Sequence, residues 1–283
     1  MNNYSEIIKL SPALYLQATS QNFRLHRILP WETAPVGEML LDVGDSKITR
    51  QLMAGALYAG ISQPNARNDE IEKQQKPYSL LLNHIYSLAC SYQTTHATPP
   101  TMRRVADSLE AAGQQLSASY CRKVAKEESG HDTLALNDLN ALGLPAQDFV
   151  ERLRPKSSLA KVALFNRYAD SDQPISVLGY AYVLERMSLF ITEPSILAIE
   201  QLIPKGIKAT RCLRVHSAVG SDAGHVAESI DFIATLSARD RLAIALAAYE
   251  TIATSFDAYI GDDAMIELLE EFGWSIDKFM AAS

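Results

Sequence analysis

The sequence predicts an all-α protein, a bundle of helices around one core. Three observations lead there. Apolar residues recur at helical spacing in one segment after another, as in Leu242, Ala245, Leu246, Tyr249, Ile252 and Phe256. No segment sustains the alternation of apolar and polar residues that marks a half-buried strand. Prolines and glycines fall between the apolar segments, leaving helices of roughly ten to twenty-five residues joined mostly by short connections. Internal repeats and low-complexity tracts are absent.

Taken in order, residues 4–17 read as a first helix interrupted at Pro12, and Pro30 and Pro35 bracket a loop. Residues 45–59 read as a second helix with Leu52, Met53, Ala56 and Leu57 as its buried stripe. The polar, proline-bounded stretch 62–77 reads as a linker. Residues 1–77 are thus expected to form an N-terminal helical extension and linker packed on a core of residues 78–283, the whole being one structural domain.

In that core, residues 78–92 are apolar almost all round, a buried helix that carries His84 inward. Pro99 and Pro100 suit the first turn of a new helix, 101–112, which stops at Gly113. Residues 117–142 read as one long amphipathic helix ending at Gly143. Further helices are expected at 158–169, 175–190, 196–203, 211–234, 238–259 and 264–272.

The chain has 283 residues, 47% apolar and 21% charged, which is ample for a packed core. Its net charge of −7 disfavours nucleic acid and anionic membranes as partners. No run is apolar enough to cross a bilayer, and no secretory leader is read at the N-terminus. Cys90, Cys121 and Cys212 are odd in number and contain no CxxC, which argues against a disulfide framework or a structural zinc site. A cytoplasmic location is expected.

Three segments carry candidate chemistry. In the first, Glu128 and His131 are three apart and Glu127 and His131 four apart, so either pair shares a helix face. Glu-x-x-His is an element with which helical bundles present a carboxylate and an imidazole inward together, although such residues are more often solvated. In the second, Glu185 stands in an apolar run, where a carboxylate is costly unless paired or metal-bound; the alternative is a narrow exposed stripe. The third holds His216, Asp222 and His225. Asp222 and His225 share a face, with a helix cap and a core histidine as the plain alternative. Nine residues separate His216 from His225, about two and a half turns, so an unbroken helix points them apart. A break at Gly220-Ser221 is required before all three can share a pocket.

The segments EESGHDTLALNDLNALG, GYAYVLERMSLF and LRVHSAVGSDAGHV, in this order and rough separation, resemble the haem-oxygenase-like di-iron oxidases and oxygenases, relatives of the TenA and PqqC helical proteins. The resemblance covers residue 78 to the C-terminus. It implies a haem-oxygenase-like bundle holding one or two Fe(II) ions per chain on Glu128, His131, Glu185, His216, Asp222 and His225, with O2 as co-substrate and no haem. It also implies oxidation of a small amine, amino-acid or carboxylate metabolite; N-oxygenation, desaturation and C–C cleavage all occur in that family. Two departures stand out. His216 precedes Asp222 by two residues more than the family pattern, and the glutamate usual on the first core helix is missing from residues 78–92. His84, Glu110 and Glu127 are the further ligand candidates. Lys123, Arg186, Arg214 and Tyr182 are the candidates for holding a substrate.

Two other readings stand beside this one. A metal-free protein of the TenA/PqqC type would bind or transform a small aromatic metabolite, with a cysteine as a candidate nucleophile. A non-enzymatic helical interaction protein would use the N-terminal extension for docking or for a homodimer. His26 is the candidate for a proximal haem ligand, with nothing around it in support.

Overall fold

The structure, a computed structural model, describes residues 4–29, 38–62, 76, 78–254 and 259–281. The loop expected around Pro30 and Pro35, most of the linker 62–77, and Phe256 lie outside the described residues.

The N-terminus is not helical. It forms a three-stranded antiparallel meander, β1 (Ser5–Ser11), β2 (Leu14–Thr19) and β3 (Phe23–Arg27), in the order β1-β2-β3. The alternation is present but short. Glu6, Ile8 and Leu10 on β1, and Leu14, Leu16 and Ala18 on β2, are all buried. Ile8 lies opposite Leu16, which lies opposite Leu25. The buried Ile7 obscures the pattern, because its backbone bridges to Met39 outside the sheet. Pro12, read as a helix interruption, sits in the turn between β1 and β2, where its missing N–H costs nothing.

Thirteen α-helices follow among the described residues. Helix α1 (Ser46–Ile61) is capped by Asp45, whose carboxylate accepts from the Lys47 and Ile48 N–H groups. Its stripe of Leu52, Met53, Ala56 and Leu57 is buried as expected, and the sheet packs on it. Helix α2 (Ser79–Ala111) runs straight through Pro99 and Pro100 instead of restarting there. Interior prolines cost about 3 kcal/mol or more in a free helix. Here α2 is clasped by α3, α4 and α6, and the residues beyond the prolines, Met102, Val105, Ala106 and Leu109, are buried. Tertiary packing overrides the local signal.

The long helix expected at 117–142 is two helices, α3 (Gln115–Glu127) and α4 (His131–Ala141). Gly130 between them adopts φ +90°, a left-handed conformation that ends α3 and turns the chain. Then come α5 (Ala146–Arg152), α6 (Lys156–Ala169), a 3-10 turn at Pro174–Ser176, α7 (Val177–Ser188) and α8 (Glu193–Glu200). The last core segment is also divided, into α9 (Arg211–Val215) and α10 (Asp222–Ala234). Helices α11 (Ala238–Thr254), α12 (Asp262–Glu271) and α13 (Ile276–Ala281) complete the chain. No single helix among the described residues is long and apolar enough to cross a membrane.

Two buried apolar clusters result. One joins the sheet to α1, α3, α6, α7, α10 and α11; the other gathers α4, α5, α8, α9 and α12. Helix α2 belongs to both, its first half to the second cluster and its second half to the first. So the extension is no separate appendage: α1 and the sheet supply part of the main core.

Candidate metal centre

A cavity of about 310 Å³ lies where the two clusters meet along α2. Side chains at helical spacing on one face of α2, from His84 through Leu88, Ser91 and Thr95 to Thr98, form one wall. The fourteen residue steps from His84 to Thr98 span roughly 21 Å of helix. Glu128, Glu185, His216 and Asp222 line the same cavity.

The titratable side chains form two overlapping groups. Glu128, His131 and His216 offer ligand atoms within 4.8 Å of one another, and so do Glu128, Glu185 and His225. Glu128 belongs to both. Its Oε2 lies 3.1 Å from His131 Nδ1, and Glu185 Oε1 lies 4.0 Å from His225 Nδ1. Asp222 joins the first group through His216, with Oδ2 at 3.5 Å from Nδ1, and the Ser188 hydroxyl donates to the same oxygen at 2.5 Å. The His131 and His216 rings meet edge to face at 4.8 Å.

Both chain breaks described above serve this arrangement. Glu128 is the last-turn cap of α3 and His131 the first residue of α4. Likewise His216 caps α9 and Asp222 opens α10. The break expected at Gly220-Ser221 spans residues 216–221, and it swings His216 round to the side that Asp222 and His225 face. Gly220 is needed there: a Cβ would sit 2.0 Å from the Val215 carbonyl oxygen.

The electrostatics favour a cation among these side chains. Burial, and then the carboxylates of Glu128, Asp222 and Glu127, push Glu185 well above the usual carboxylate range. Burial disfavours a charged His216, but Asp222 and Glu128 outweigh it and raise its pKa above the ordinary histidine value. Two buried atoms, Glu185 Oε2 and His216 Nε2, have no hydrogen-bond partner. A buried polar atom left unpaired costs about 1–3 kcal/mol, more if charged. Carboxylate oxygen and imidazole nitrogen are the donor set for iron in helical bundles, and these residues fit it.

The other sequence candidates lie elsewhere. Glu110 is on the surface, ion-paired with Arg122, too far along α3 and α2 to ligate. Glu127 turns outward to Lys123, at 3.7 Å, and Lys123 also pairs with Glu228. His84 lines the cavity, but its Nε2–H donates to the Ala209 carbonyl at 2.6 Å and it belongs to neither group. Arg214 is held outside by Glu193 and Glu200, both at 2.9 Å. Arg186 stacks over the Phe190 ring, and Tyr182 is core; Tyr180, two residues earlier and also buried, is the tyrosine that reaches the cavity. His26 is on β3, bonded to Gln17. Burial pushes the Cys121 and Cys212 thiols up to about 12, which leaves neither as a nucleophile at neutral pH.

One charged residue of the cavity wall was not singled out by sequence pattern, Lys161 on α6. The signal for it exists. Ser158, Lys161, Phe165 and Tyr168 follow at steps of three, four and three, so Lys161 occupies a position on the buried stripe of its own helix.

A solved structure matches this architecture: a domain of unknown function with a haem-oxygenase-like fold from Shewanella denitrificans, 17% identical, with a TM-score of 0.55, covering 84% of this chain and 96% of that one. The chain has the haem-oxygenase-like fold. The likeness is one of fold, and the metal groups above are read from this chain's own side chains. No protein-family model matches the sequence, and no curated protein does.

Proposed function

We propose that this chain is a non-haem iron enzyme, an O2-activating oxidase or oxygenase with a two-metal centre, acting on a small metabolite in the cavity along α2. The observation that carries the reading is Glu128. One carboxylate shared by two ligand groups, each completed by imidazole, is the arrangement a pair of metal ions needs. Glu128, His131 and His216, with Asp222 behind His216, would hold one ion; Glu128, Glu185 and His225 would hold the other. When bound, iron supplies the redox chemistry with O2 that no side chain of this site can perform.

The chain's own residues do the rest. Asp222 fixes the tautomer and orientation of His216 through Nδ1, leaving Nε2 as the free donor atom. Ser188 in turn holds Asp222. Leu184, Met187, Ile191 and Leu213 give the cavity an apolar lining that excludes bulk water beside the ligand groups. Tyr180 is fully buried with an unpartnered hydroxyl, and burial, then the Glu128 charge, raise its pKa, so it stays protonated and able to donate.

The test is iron stoichiometry. Protein purified without oxygen and titrated with Fe(II) is expected to bind two ions per chain. Glu185→Ala should leave one and Glu128→Gln should lose both, while Arg214→Ala binds as the parent does. Oxygen consumption and a visible absorbance change on mixing the loaded protein with O2 follow from the same reading. Iron that fails to bind, or that binds equally to all variants, overturns it in favour of the metal-free alternative.

A further inference from the structure

Among the described residues that line the cavity, four buried polar atoms have no hydrogen-bond partner: His84 Nδ1, the Tyr180 hydroxyl, Glu185 Oε2 and His216 Nε2. Two belong to the ligand groups, and the Tyr180 hydroxyl feels the Glu128 charge. His84 stands apart from these, at the other end. The level of the ligand groups along α2 is fixed by His96, bonded to Asp132 at 2.8 Å, and by Arg103, bonded to Ser129 at 2.9 Å. His84 comes twelve residue steps before His96, roughly 18 Å along the helix.

One contact decides the chemistry of the His84 ring. Its Nε2 lies 2.6 Å from the Ala209 carbonyl oxygen, and a carbonyl oxygen only accepts, so Nε2 carries the proton. The residue is 3% exposed, and burial holds its pKa below the ordinary histidine value, so the ring stays neutral. A neutral imidazole with its proton on Nε2 has a bare lone pair on Nδ1. The Ala209 bond also orients the ring. An unpaired buried acceptor is costly, and a donor that reaches it removes the cost.

We propose that His84 Nδ1 accepts a hydrogen bond from a neutral hydroxyl of an otherwise apolar molecule, whose body lies along α2 toward the ligand groups. This rests on the reading of the cavity as a substrate site, and it adds a specificity-determining residue remote from the ligand groups.

The partner must be a donor, because Nδ1 has no proton to give. It must be neutral, because the carboxylates of the cavity, Glu128, Glu185 and Asp222, all belong to the ligand end and draw a cation there. A hydroxyl supplies one proton from one small atom, which is what a single unpaired acceptor takes. Its body must be apolar, because the next turn of α2 presents Leu88. The threonines beyond it already have partners. Thr94 and Thr95 donate to the Ser91 carbonyl at 3.1 and 2.7 Å, and Thr98 donates to the Thr94 carbonyl at 2.9 Å.

The experiment compares two isomers, 1-octanol and 1-methoxyheptane, by calorimetry on the metal-free protein, so that a failure of iron binding does not bear on the result. The ether keeps the oxygen and loses the proton. A buried acceptor left unpaired should favour the alcohol by about fivefold to a hundredfold. His84→Gln keeps an N–H for Ala209 and removes the Nδ1 acceptor, so it should abolish the preference while the ether binds as it does to the parent. Fe(II) stoichiometry of this variant should equal that of the parent, which separates recognition from damage to the metal centre. A second measurement needs no variant: nitrogen NMR of the parent should find the proton on Nε2, and the Nδ1 resonance should move with the alcohol and stay with the ether. A parent that does not prefer the alcohol overturns the proposal, Nδ1 then being matched by water alone. A preference that survives in folded His84→Gln protein, or a proton found on Nδ1, overturns it as well.

Discussion

Buried charge is handled in two opposite ways in this molecule. At one place Glu6 on β1 and Arg241 on α11, neither exposed at all, meet at 2.6 Å. Arg241 also donates to the Leu236 and Leu41 carbonyls, and the Leu41 N–H donates to Glu6. The pair balances its charge within the chain, although Glu6 Oε2 and Arg241 Nε have no hydrogen-bond partner, and it ties the sheet to the bundle. At the other place Glu128, Glu185 and Asp222 converge with three histidines, and among the described residues none of these carboxylates pairs with an arginine or lysine, although Lys161 lines the same cavity. The first arrangement holds the fold together; the second gathers like charges, which the proposed metal ions would balance. Burial alone therefore does not mark a functional site, whereas burial with unmatched charge does.

Breaking the first arrangement should have the larger effect. Arg241→Met strands the Glu6 carboxylate in the core, and a loss of about 3–5 kcal/mol in denaturant unfolding is expected. The double change Glu6→Leu with Arg241→Met should recover most of that loss. Iron stoichiometry of the folded protein should stay at its parent value in both, because the clamp and the metal centre share no residue.

A smaller effect is expected at the break between α9 and α10. Gly220→Ala forces a Cβ into the Val215 and Arg214 carbonyls, at 2.0 and 2.5 Å, so the turn must open. Chemical denaturation should show a loss of about 1–3 kcal/mol. Unlike Arg241→Met, this change should also remove the iron that depends on His216. A Gly220→Ala protein that loads fully would mean that His216 is not a ligand.

The smallest effect concerns another buried carboxylate, outside both arrangements. Asp138 accepts from the Cys212 N–H at 2.8 Å, and burial outweighs that bond to push its pKa from 3.8 up to about 6. Between those values the folded protein keeps a proton that the unfolded chain has lost, so this group's contribution makes stability fall as pH rises through the window. Asp138→Asn should flatten the thermal midpoint of the metal-free protein between about pH 4 and pH 6, measured against the parent. An unchanged slope would show that Asp138 stays ionised, held by the α9 backbone.

Much of this was legible in the residues themselves, for a physical reason in each case. The helices announce themselves through stripes such as Leu52, Met53, Ala56 and Leu57, which periodicity detects. The six ligand candidates stand out because carboxylate and imidazole are expensive in apolar surroundings. The strands β1 to β3 did not stand out, since five to seven residues with Ile7 and Ile8 adjacent give too little alternation to count. The continuity of α2 through Pro99 and Pro100 is a property of its neighbours, which no local rule contains. Arg186 and Arg214 looked well placed by proximity in sequence, but their directions depend on Phe190 and on Glu193 and Glu200. Lys161 lies far from every ligand segment in the chain and reaches the cavity only because α6 packs against α2.

The two ligand groups also differ in what they hang from. Glu185 lies in the last turn of α7 and His225 in the first turn of α10, each inside the bounds of its helix. His131 and Asp222 are the first residues of α4 and α10, while Glu128 and His216 cap α3 and α9 just past their last residues. Helix ends open at lower free energy than helix interiors. One ligand group thus draws on Glu185 and His225 inside their helices and the other on residues that flank the two chain breaks, so the two groups are mounted unequally.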